Sequence, residues 1–304
     1  NTYQGEELTF GPEYLIPKPF DPRLIMEIPP GVALAAEKSG VATRPIEDLE
    51  AYRDDLSRFV FRSGMLMKPM FEAARATKRR LVLAEGEGGK MLQACQLIVS
   101  ENLADVTLVG RRKVIIDKIR SMGLSIEADK DFHIIDNLDD VVITPIGEEY
   151  HTLTARQGMT PKAAQTRVRA NTTVLASMLL HRGDADAMLC GTFGSYSKHL
   201  LLAEEIIGRK KGSPVVGALT VLILQQGTIF LTDTHVNFDP TPEQLCELGK
   251  LAADEIRRFG IQPKAAFLSH SNFGSQNTTS AAKVREATAM FMERYPGIEA
   301  DGEM

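Results

Sequence analysis

The sequence is poor in cysteine and has no long apolar segment. Its three cysteines, Cys95, Cys190 and Cys246, lie far apart and form no C-x-x-C pair, which excludes a disulfide scaffold and indicates buried thiols in a reducing compartment. The longest apolar run, residues 215–224, has 10 residues, about half of what a membrane-spanning helix requires. No signal-peptide pattern precedes it. We therefore expect a cytoplasmic protein.

The chain also lacks a strong excess of either charge. With 35 basic and 40 acidic residues the net charge is −5, which argues against nucleic acid or an anionic membrane as the main partner and leaves a small polyanion as a possible ligand of a local basic patch. Hydrophobic residues make up 43% and charged residues 25% of the 304 residues. These values exclude disordered and collagen-like classes, and the length predicts about two domains.

Familiar catalytic patterns are missing as well. The six histidines show no H-E-x-x-H or other short metal-binding spacing. Residues 269–271, Ser-His-Ser, resemble a hydrolase triad only in composition, because neighbours on a turn seldom form a nucleophile–base pair. The sequence therefore predicts no catalytic centre of these familiar kinds.

The pattern that is present begins with a proline-rich stretch. Residues 1–45 contain seven prolines, each of which fixes φ and removes a backbone donor. We predict an extended connector here, interrupted by one short helix over residues 32–39 that Gly40 ends. Residues 47–76 have apolar residues spaced at three and four and predict a helical region.

Short apolar runs then alternate with helical patterns, which is typical of a parallel sheet with helices on both faces. The predicted elements are strands 81–84, 106–109, 132–135 and 187–190 and helices 90–102, 113–122, 162–181 and 199–207.

The second half predicts a different, mixed sheet. Residues 215–224 and 228–232 are predicted strands joined as a hairpin, and strand 265–268 follows helix 242–259. We place the domain boundary near residue 211.

Two loops that follow predicted strands are candidates for ligand binding, since ligands of α/β sheets bind beyond the carboxyl ends of strands. Residues 85–90 fit neither the dinucleotide nor the P-loop pattern, because Met91 stands where each requires another residue. We interpret them as a flexible turn with two surface acids. Residues 187–199 contain Gly191, Gly194 and Lys198 among hydroxyl side chains, and both ligand contact and a plain glycine-rich turn remain open.

Residues 267–280 are the strongest candidate. Six Ser or Thr residues, two Asn and one Gly precede a predicted helix over residues 281–293, where free N–H groups and the helix dipole favour a phosphate. Lys283 and Arg285 in the first turn oppose that dipole, so a bound anion would relieve a local cost. Simple helix capping is the alternative.

Residues 46–304 resemble phosphate acetyltransferases throughout. The segments that carry this resemblance are residues 83–86, 108–111, 156–160, 181–188, 266–271, 283–287 and 301–303. The resemblance implies a two-domain α/β fold of the phosphate acetyltransferase type, related to isocitrate and isopropylmalate dehydrogenases, with parallel and mixed sheets flanked by helices.

The first 45 residues resemble a narrower group. Residues 10–24 and 39–45 are similar to the end of the catalytic region of bacterial NADP-dependent malic enzymes, whose large members carry an acetyltransferase-like region behind it. This resemblance implies a parent enzyme that oxidatively decarboxylates malate to pyruvate with NADP and Mg²⁺ or Mn²⁺, bound before Asn1 and not in this chain. The start without methionine and the abrupt end at Met304 indicate a piece of a longer protein.

Departures from the acetyltransferase pattern set the expected role. After the strand at 187–190 the family usually carries His-Thr-Thr-Ala and then Leu-Arg-Pro, whereas this sequence has Phe-Gly-Ser-Tyr at 193–196 and His-Leu-Leu at 199–201. The family's Ser-Arg and Asp catalytic segment would follow Met304. Transfer should suffer more than binding, because transition-state charge needs well-placed cations.

The resemblance thus predicts the acetyl-CoA-binding regulatory region of an NADP-dependent malic enzyme, without a complete active site or metal site of its own. An active phosphate acetyltransferase is the alternative, and a purely structural oligomerisation module is a third. The expected domains are 1–45, the malic-type tail and connector, 46–211 and 212–304, with acetyl-CoA, an upstream malic domain and further copies of the chain as partners. The predicted ligand contacts are Ser271, Asn272, Gly274 and Ser275, with Thr192, Lys198 and Lys283 as secondary contacts.

Overall fold

The computed structural model describes residues 22–60, 62–224 and 227–304. Its helices are α1 (Pro22–Lys38), α2 (Leu49–Val60), α3 (Arg62–Ala76), α4 (Gly89–Ser100), α5 (Arg112–Ser121), α6 (Asp140–Thr154), α7 (Pro161–Ala170), α8 (Thr172–His181), α9 (Tyr196–Ile206), α10 (Pro242–Arg258) and α11 (Thr279–Arg294). Its strands are β1 (Arg79–Leu83), β2 (Ala104–Val109), β3 (His133–Ile135), β4 (Ala187–Leu189), β5 (Thr220–Ile223), β6 (Thr228–Leu231), β7 (Lys264–Phe267) and β8 (Glu299–Gly302). The chain divides into two compact units, residues 1–70 with 221–229 and residues 71–220 with 230–304.

The helix α1 of the first unit corrects the expected proline connector. It is continuous from Pro22 to Lys38 with Pro29 and Pro30 inside it, where only a short helix over 32–39 was predicted. Inside a helix each proline removes a donor and its ring crowds the preceding turn, at a cost of about 3 kcal/mol or more, and Pro30 is buried. Packing therefore outweighs the lost hydrogen bonds.

The other predictions for the amino-terminal residues have mixed outcomes. Helices α2 and α3 confirm the helical region predicted over 47–76. The malic-type segment at residues 10–24 lies almost wholly outside the described residues. The predicted domain boundaries after residues 45 and 211 stay a prediction.

The second unit contains a four-stranded parallel sheet in the order β3-β2-β1-β4. Leu83 of β1 lies opposite Leu108 of β2 on one side and Leu189 of β4 on the other. Side chains along β1 alternate between two cores: Val82 and Ala84 pack with helices α6, α7 and α8, whereas Leu83 packs with α4 and α5. The predicted parallel sheet with helices on both faces is confirmed.

Two elements of the second unit were not predicted. Helix α6 begins after Asp139, whose carboxylate accepts the N–H of Val141 at 2.9 Å, and Pro145 inside it obscures the helical pattern. Strand β8 pairs in parallel with β7, so that Phe267 lies opposite Gly302. A third difference is that the predicted helix over 162–181 is split into α7 and α8.

Asn171 causes that split. Its side-chain oxygen accepts the N–H groups of Thr173 at 3.0 Å and Val174 at 3.1 Å, which is the capping arrangement of a helix start. A new helix therefore begins at Thr172.

Strand β5 is shorter than the predicted strand over 215–224. Asp233 accepts the N–H of Ala218 at 2.9 Å, and the Asn237 amide donates to the carbonyl of Val216 at 2.8 Å. Because loop side chains already satisfy this backbone, no neighbouring strand is needed there. Strands β5 and β6 pair as predicted, but within the described residues they form a sheet separate from β7 and β8, where one mixed sheet was expected.

Candidate functional site

The loop between β7 and α11, residues 268–278, is fixed along one edge by Glu303 and Met304. The N–H of Ser269 donates to the carbonyl of Met304 at 2.7 Å, and the N–H of Phe273 donates to the carbonyl of Glu303 at 2.8 Å. The N–H of Met304 in turn donates to the carbonyl of Phe267 at 3.1 Å. These bonds continue the pairing of β7 with β8 into the loop.

The Glu303 carboxylate lies inside this loop. It accepts the Ser271 hydroxyl at 2.6 Å, the Gly274 N–H at 2.8 Å, and the Arg285 guanidinium through Nε at 2.7 Å and Nη2 at 3.1 Å. Glu303 and Ser271 are each only 1% exposed. Arg285 first, and then Ser271 and Gly274, lower the pKa of Glu303 to about 2, so the carboxylate is ionised at neutral pH.

These contacts change the interpretation of the predicted phosphate site. Two of its predicted donors, the Ser271 hydroxyl and the Gly274 N–H, already bind an anion of the chain itself. The other two residues, Asn272 and Ser275, are exposed, and the N–H of Asn272 donates to the Ser275 hydroxyl at 2.9 Å. The part of the loop that remains open to a ligand is therefore its outer surface, and ligand contact by these four residues stays a prediction.

The start of helix α11 has both of its cations paired. Thr278 caps the helix with its hydroxyl, Arg285 binds Glu303, and Lys283, a predicted secondary contact, forms an ion pair with Asp239. The unfavourable interaction of these cations with the helix dipole is thus offset by carboxylates of the chain. A bound anion, which the sequence predicts in that role, is therefore not needed to offset the dipole.

A second buried carboxylate, Glu85, holds the loop that follows β4. Glu85 is 4% exposed and accepts the N–H of Gly191 at 2.9 Å, with longer contacts to the N–H and hydroxyl of Thr192 at 3.5 and 3.4 Å. Because β1 and β4 are neighbouring parallel strands, their carboxyl ends meet at one edge of the sheet. Thr192, a predicted ligand contact, is therefore partly engaged by Glu85.

The turn after β1 is not the flexible turn with two surface acids that was predicted. Glu85 is buried, and a Cβ on Gly86 would come within 2.8 Å of the Val109 carbonyl, so this backbone is closely packed. Glu87 is held by Arg111, through Nη2 at 2.7 Å, Nε at 2.9 Å and the N–H at 2.9 Å. This hydrogen-bonded ion pair lowers the pKa of the Glu87 carboxyl.

His199 supports the loop over residues 191–195 from helix α9. Its Nε2 lies 2.8 Å from the carbonyl oxygen of Phe193, and its Nδ1 lies 2.9 Å from the Thr173 hydroxyl. A carbonyl oxygen only accepts, so Nε2 carries a hydrogen and donates it. Gly194 has φ +94°, and a Cβ there would lie 3.0 Å from Nε2. The loop therefore requires glycine at this position.

Lys198 is an accessible predicted contact near α9. It is exposed, lies in the first turn of that helix, and forms no ion pair with any described residue. Within the described residues, no hydrogen bond joins the loop at 191–198 to the loop at 268–278. The predicted contacts therefore lie on two loops that no hydrogen bond between described residues joins, except Lys283, which lies on helix α11.

Glu85 and Glu303 are the residues that the sequence analysis missed. Each stands next to a glycine at the end of a short strand, in Glu85-Gly86 and Gly302-Glu303. Both pairs lie within segments that carried the acetyltransferase resemblance. That coincidence is the signal that could have identified them.

The thiol nearest to these loops is not activated. Burial first, and then the Glu85 charge, raise the pKa of Cys190 above its ordinary value, so it stays a thiol at neutral pH.

In the described part of the chain, no three His, Cys, Asp or Glu side chains are grouped as a metal site requires. No helix among the described residues is long and apolar enough to cross a bilayer.

Residues 65–304 match the family described as phosphate acetyl/butaryl transferase. The chain belongs to this family. Over its whole length it is also 51% identical to an NADP-dependent malic enzyme from Haemophilus influenzae and covers 40% of that protein. It is 48% identical, over 99% of its length, to an NAD-dependent malic enzyme from Rhizobium meliloti, of which it covers 39%.

Phosphate acetyltransferases are more distant relatives. The chain is 28% identical to that of Nitratidesulfovibrio vulgaris, over 81% of this chain and 35% of that protein. It thus spans about two fifths or less of each of these curated relatives. The resemblance to malic enzymes with a phosphate acetyltransferase-like region is confirmed.

Solved structures support the fold of this phosphate acetyl/butaryl transferase family member. A phosphotransacetylase from Streptococcus pyogenes is 26% identical with a TM-score of 0.72, covering 80% of this chain and 73% of that one. One from Staphylococcus aureus is 20% identical with a TM-score of 0.68, covering 79% of this chain and 72% of that one. The likeness to isocitrate and isopropylmalate dehydrogenases stays a prediction.

Proposed function

We propose that this chain is the acetyl-CoA-responsive regulatory region of a malic enzyme, in which an upstream domain oxidatively decarboxylates malate to pyruvate with NADP. The observation that carries the proposal is the extent of the match. Residues 1–64 lie outside the family model, yet malic enzymes match the whole chain. A phosphate acetyltransferase that matches 81% of the chain accounts for less of it.

A regulatory role agrees with the cations around the two loops. The acetyltransferase pattern implies an arginine within residues 199–201, and none is present there, while Arg111 and Arg285 are each bound to a glutamate. Phosphoryl or acyl transfer needs cations aimed at developing charge. Binding an effector requires fewer, so this arrangement favours binding over transfer.

The accessible groups on the loops suit a ligand such as acetyl-CoA, which combines phosphates with apolar parts. Phe193 and Phe273, at the tips of the two loops, are 67% and 61% exposed. Lys198, Asn272 and Ser275 are exposed polar groups beside them. Apolar surface with a few placed donors is typical of small-molecule sites. NADP and the divalent metal are proposed to bind upstream, and the assembly is proposed to be a homo-oligomer.

Calorimetric titration of acetyl-CoA into the full-length protein tests this proposal. We expect saturable binding that Lys198→Ala weakens about tenfold, as the loss of one charge-assisted hydrogen bond of about 1.5 kcal/mol would do. Lys162→Ala is the matched control, because Lys162 is also exposed and lies in the first turn of a helix, α7, and it should bind acetyl-CoA like the wild type. Absence of binding to the wild type would contradict the proposal.

An active phosphate acetyltransferase is the second candidate. Family membership and the TM-score of 0.72 to a phosphotransacetylase favour it. Its test is the formation of acetyl phosphate from acetyl-CoA and inorganic phosphate by the full-length protein. Turnover above a protein-free blank would replace the regulatory proposal with a catalytic one.

A further inference from the structure

The tip of the loop at residues 268–278 has an unusual backbone. Phe273 has φ +48° and Gly274 has φ +82°, so two consecutive residues are left-handed. This conformation is unfavourable for a residue with a Cβ and is rare for a bulky aromatic one. The Phe273 ring is 61% exposed, so burial of the ring does not hold the backbone in place.

Hydrogen bonds from the tip to one residue do hold it. The N–H of Phe273 donates to the Glu303 carbonyl at 2.8 Å, and the N–H of Gly274 donates to the Glu303 carboxylate at 2.8 Å. Phe273 therefore binds the backbone of Glu303, and Gly274 binds the Glu303 side chain.

The Glu303 carboxylate is itself fixed from two further directions. Ser271, before the tip, donates its hydroxyl at 2.6 Å, and Arg285 of α11 donates through Nε at 2.7 Å. The Ser271 hydroxyl also accepts the N–H of Gln276, after the tip, at 3.1 Å. A neutral amide at position 303 would remove the charge that Arg285 faces and replace one acceptor by a donor.

We propose that Glu303 is a positioning residue for the ligand loop: it holds Phe273 and Gly274 left-handed and so presents the Phe273 ring to the ligand. The ring then contacts an apolar or aromatic part of acetyl-CoA, such as its adenine. The identity of this ligand rests on the function proposed above, whereas the positioning by Glu303 rests on the structure alone.

The first test measures the loop without any ligand. In the full-length protein, Glu303→Gln should speed amide hydrogen exchange of residues 271–276 at least tenfold. Glu299→Gln is the matched control, because Glu299 lies on the same strand, β8, is 71% exposed and, among the described residues, forms an ion pair with Lys264 alone, at 2.8 Å. It should leave exchange in this loop unchanged. Unchanged exchange in Glu303→Gln would overturn the inference whether or not acetyl-CoA binds.

The second test measures coupling between the positioning residue and the ring. Phe273→Ala should weaken acetyl-CoA binding about fivefold in the wild-type background and have little further effect in Glu303→Gln, because the ring is already displaced there. Phe238→Ala, at a fully exposed phenylalanine outside both loops, should change neither background. A general loss of structure would instead give additive effects, and additivity would contradict positioning.

A third variant covers the case in which Glu303→Gln does not fold. Gly274→Ala leaves Glu303 in place and disturbs only the left-handed backbone, since the nearest atom to its Cβ would be 4.0 Å away. It should weaken acetyl-CoA binding as Phe273→Ala does, and wild-type affinity would overturn the inference. If the wild type itself does not bind acetyl-CoA, the proposed function fails. Gly274→Ala should still speed amide hydrogen exchange of residues 271–276, and unchanged exchange would overturn the inference.

Discussion

Glu85 and Glu303 hold two different loops in the same way. Each is a buried carboxylate that accepts a glycine N–H from a loop following a parallel strand, at 2.9 Å from Gly191 and 2.8 Å from Gly274. A carboxylate has two acceptor oxygens, so one side chain can fix several groups of a turn. At the scale of the residue, these two buried carboxylates hold the loops of the candidate site in place.

The Glu303 contacts predict a dependence of stability on pH. Its pKa is about 2 in the folded chain against an ordinary 4.5, so its contribution is complete above about pH 4.5 and is lost as the pH falls towards 2. The free energy of unfolding should therefore differ between wild type and Glu303→Gln more at about pH 6 than at about pH 3.5. Urea unfolding at both pH values measures this, and an equal difference would contradict the assigned contacts.

Gly194 predicts a second effect at the residue scale. Gly194→Ala should destabilise the fold more than Gly183→Ala. Both positions have positive φ, +94° and +77°, but only at 194 would the new Cβ meet a neighbour, His199 Nε2 at 3.0 Å. The shared backbone cost is about 1–2 kcal/mol, and the excess at 194 measures the contact with His199. Chemical unfolding of the two variants checks this. Equal losses of unfolding free energy would contradict the prediction, because they would mean that His199 moves aside without cost.

At the scale of the element, a helix was predicted correctly where the residues that start and end it lie next to its ends in the sequence. Helix α10 starts with the Thr241 capping box and Pro242 and ends before Gly260, and all three signals are visible in the sequence. Helix α6 was missed because Pro145 interrupts its pattern. The division at Asn171 was missed because a capping side chain inside an apolar stretch is readable only once its hydrogen bonds are known.

Helix α4 has a buried face and an exposed face, and substitutions on the two faces should lower the free energy of unfolding by different amounts. Leu92 is fully buried in the core against the sheet, whereas Leu97 on the same helix is 55% exposed. Leu92→Ala should lower the free energy of unfolding by about 2–5 kcal/mol, and Leu97→Ala by no more than about 0.5 kcal/mol. Urea unfolding compares them, and similar losses would mean that α4 does not pack as described.

At the scale of the whole molecule, sequence reasoning located the loops but not their partners. The loops after β4 and β7 were identified from glycine and hydroxyl content at strand ends. Their carboxylate partners lie far away in sequence, 106 residues for Glu85 and Gly191 and 32 residues for Glu303 and Ser271. Only the fold brings these pairs together, so a predicted phosphate site proved to contain a carboxylate of the chain.

The central proposal is that this chain gives a malic enzyme its response to acetyl-CoA. Such a response requires unequal affinity of the effector for two states of the enzyme. The most direct measurement is the initial rate of malate-dependent NADP reduction by the full-length enzyme over a series of acetyl-CoA concentrations. We expect the rate to fall saturably, and to fall less in Phe273→Ala. A rate independent of acetyl-CoA would contradict the account.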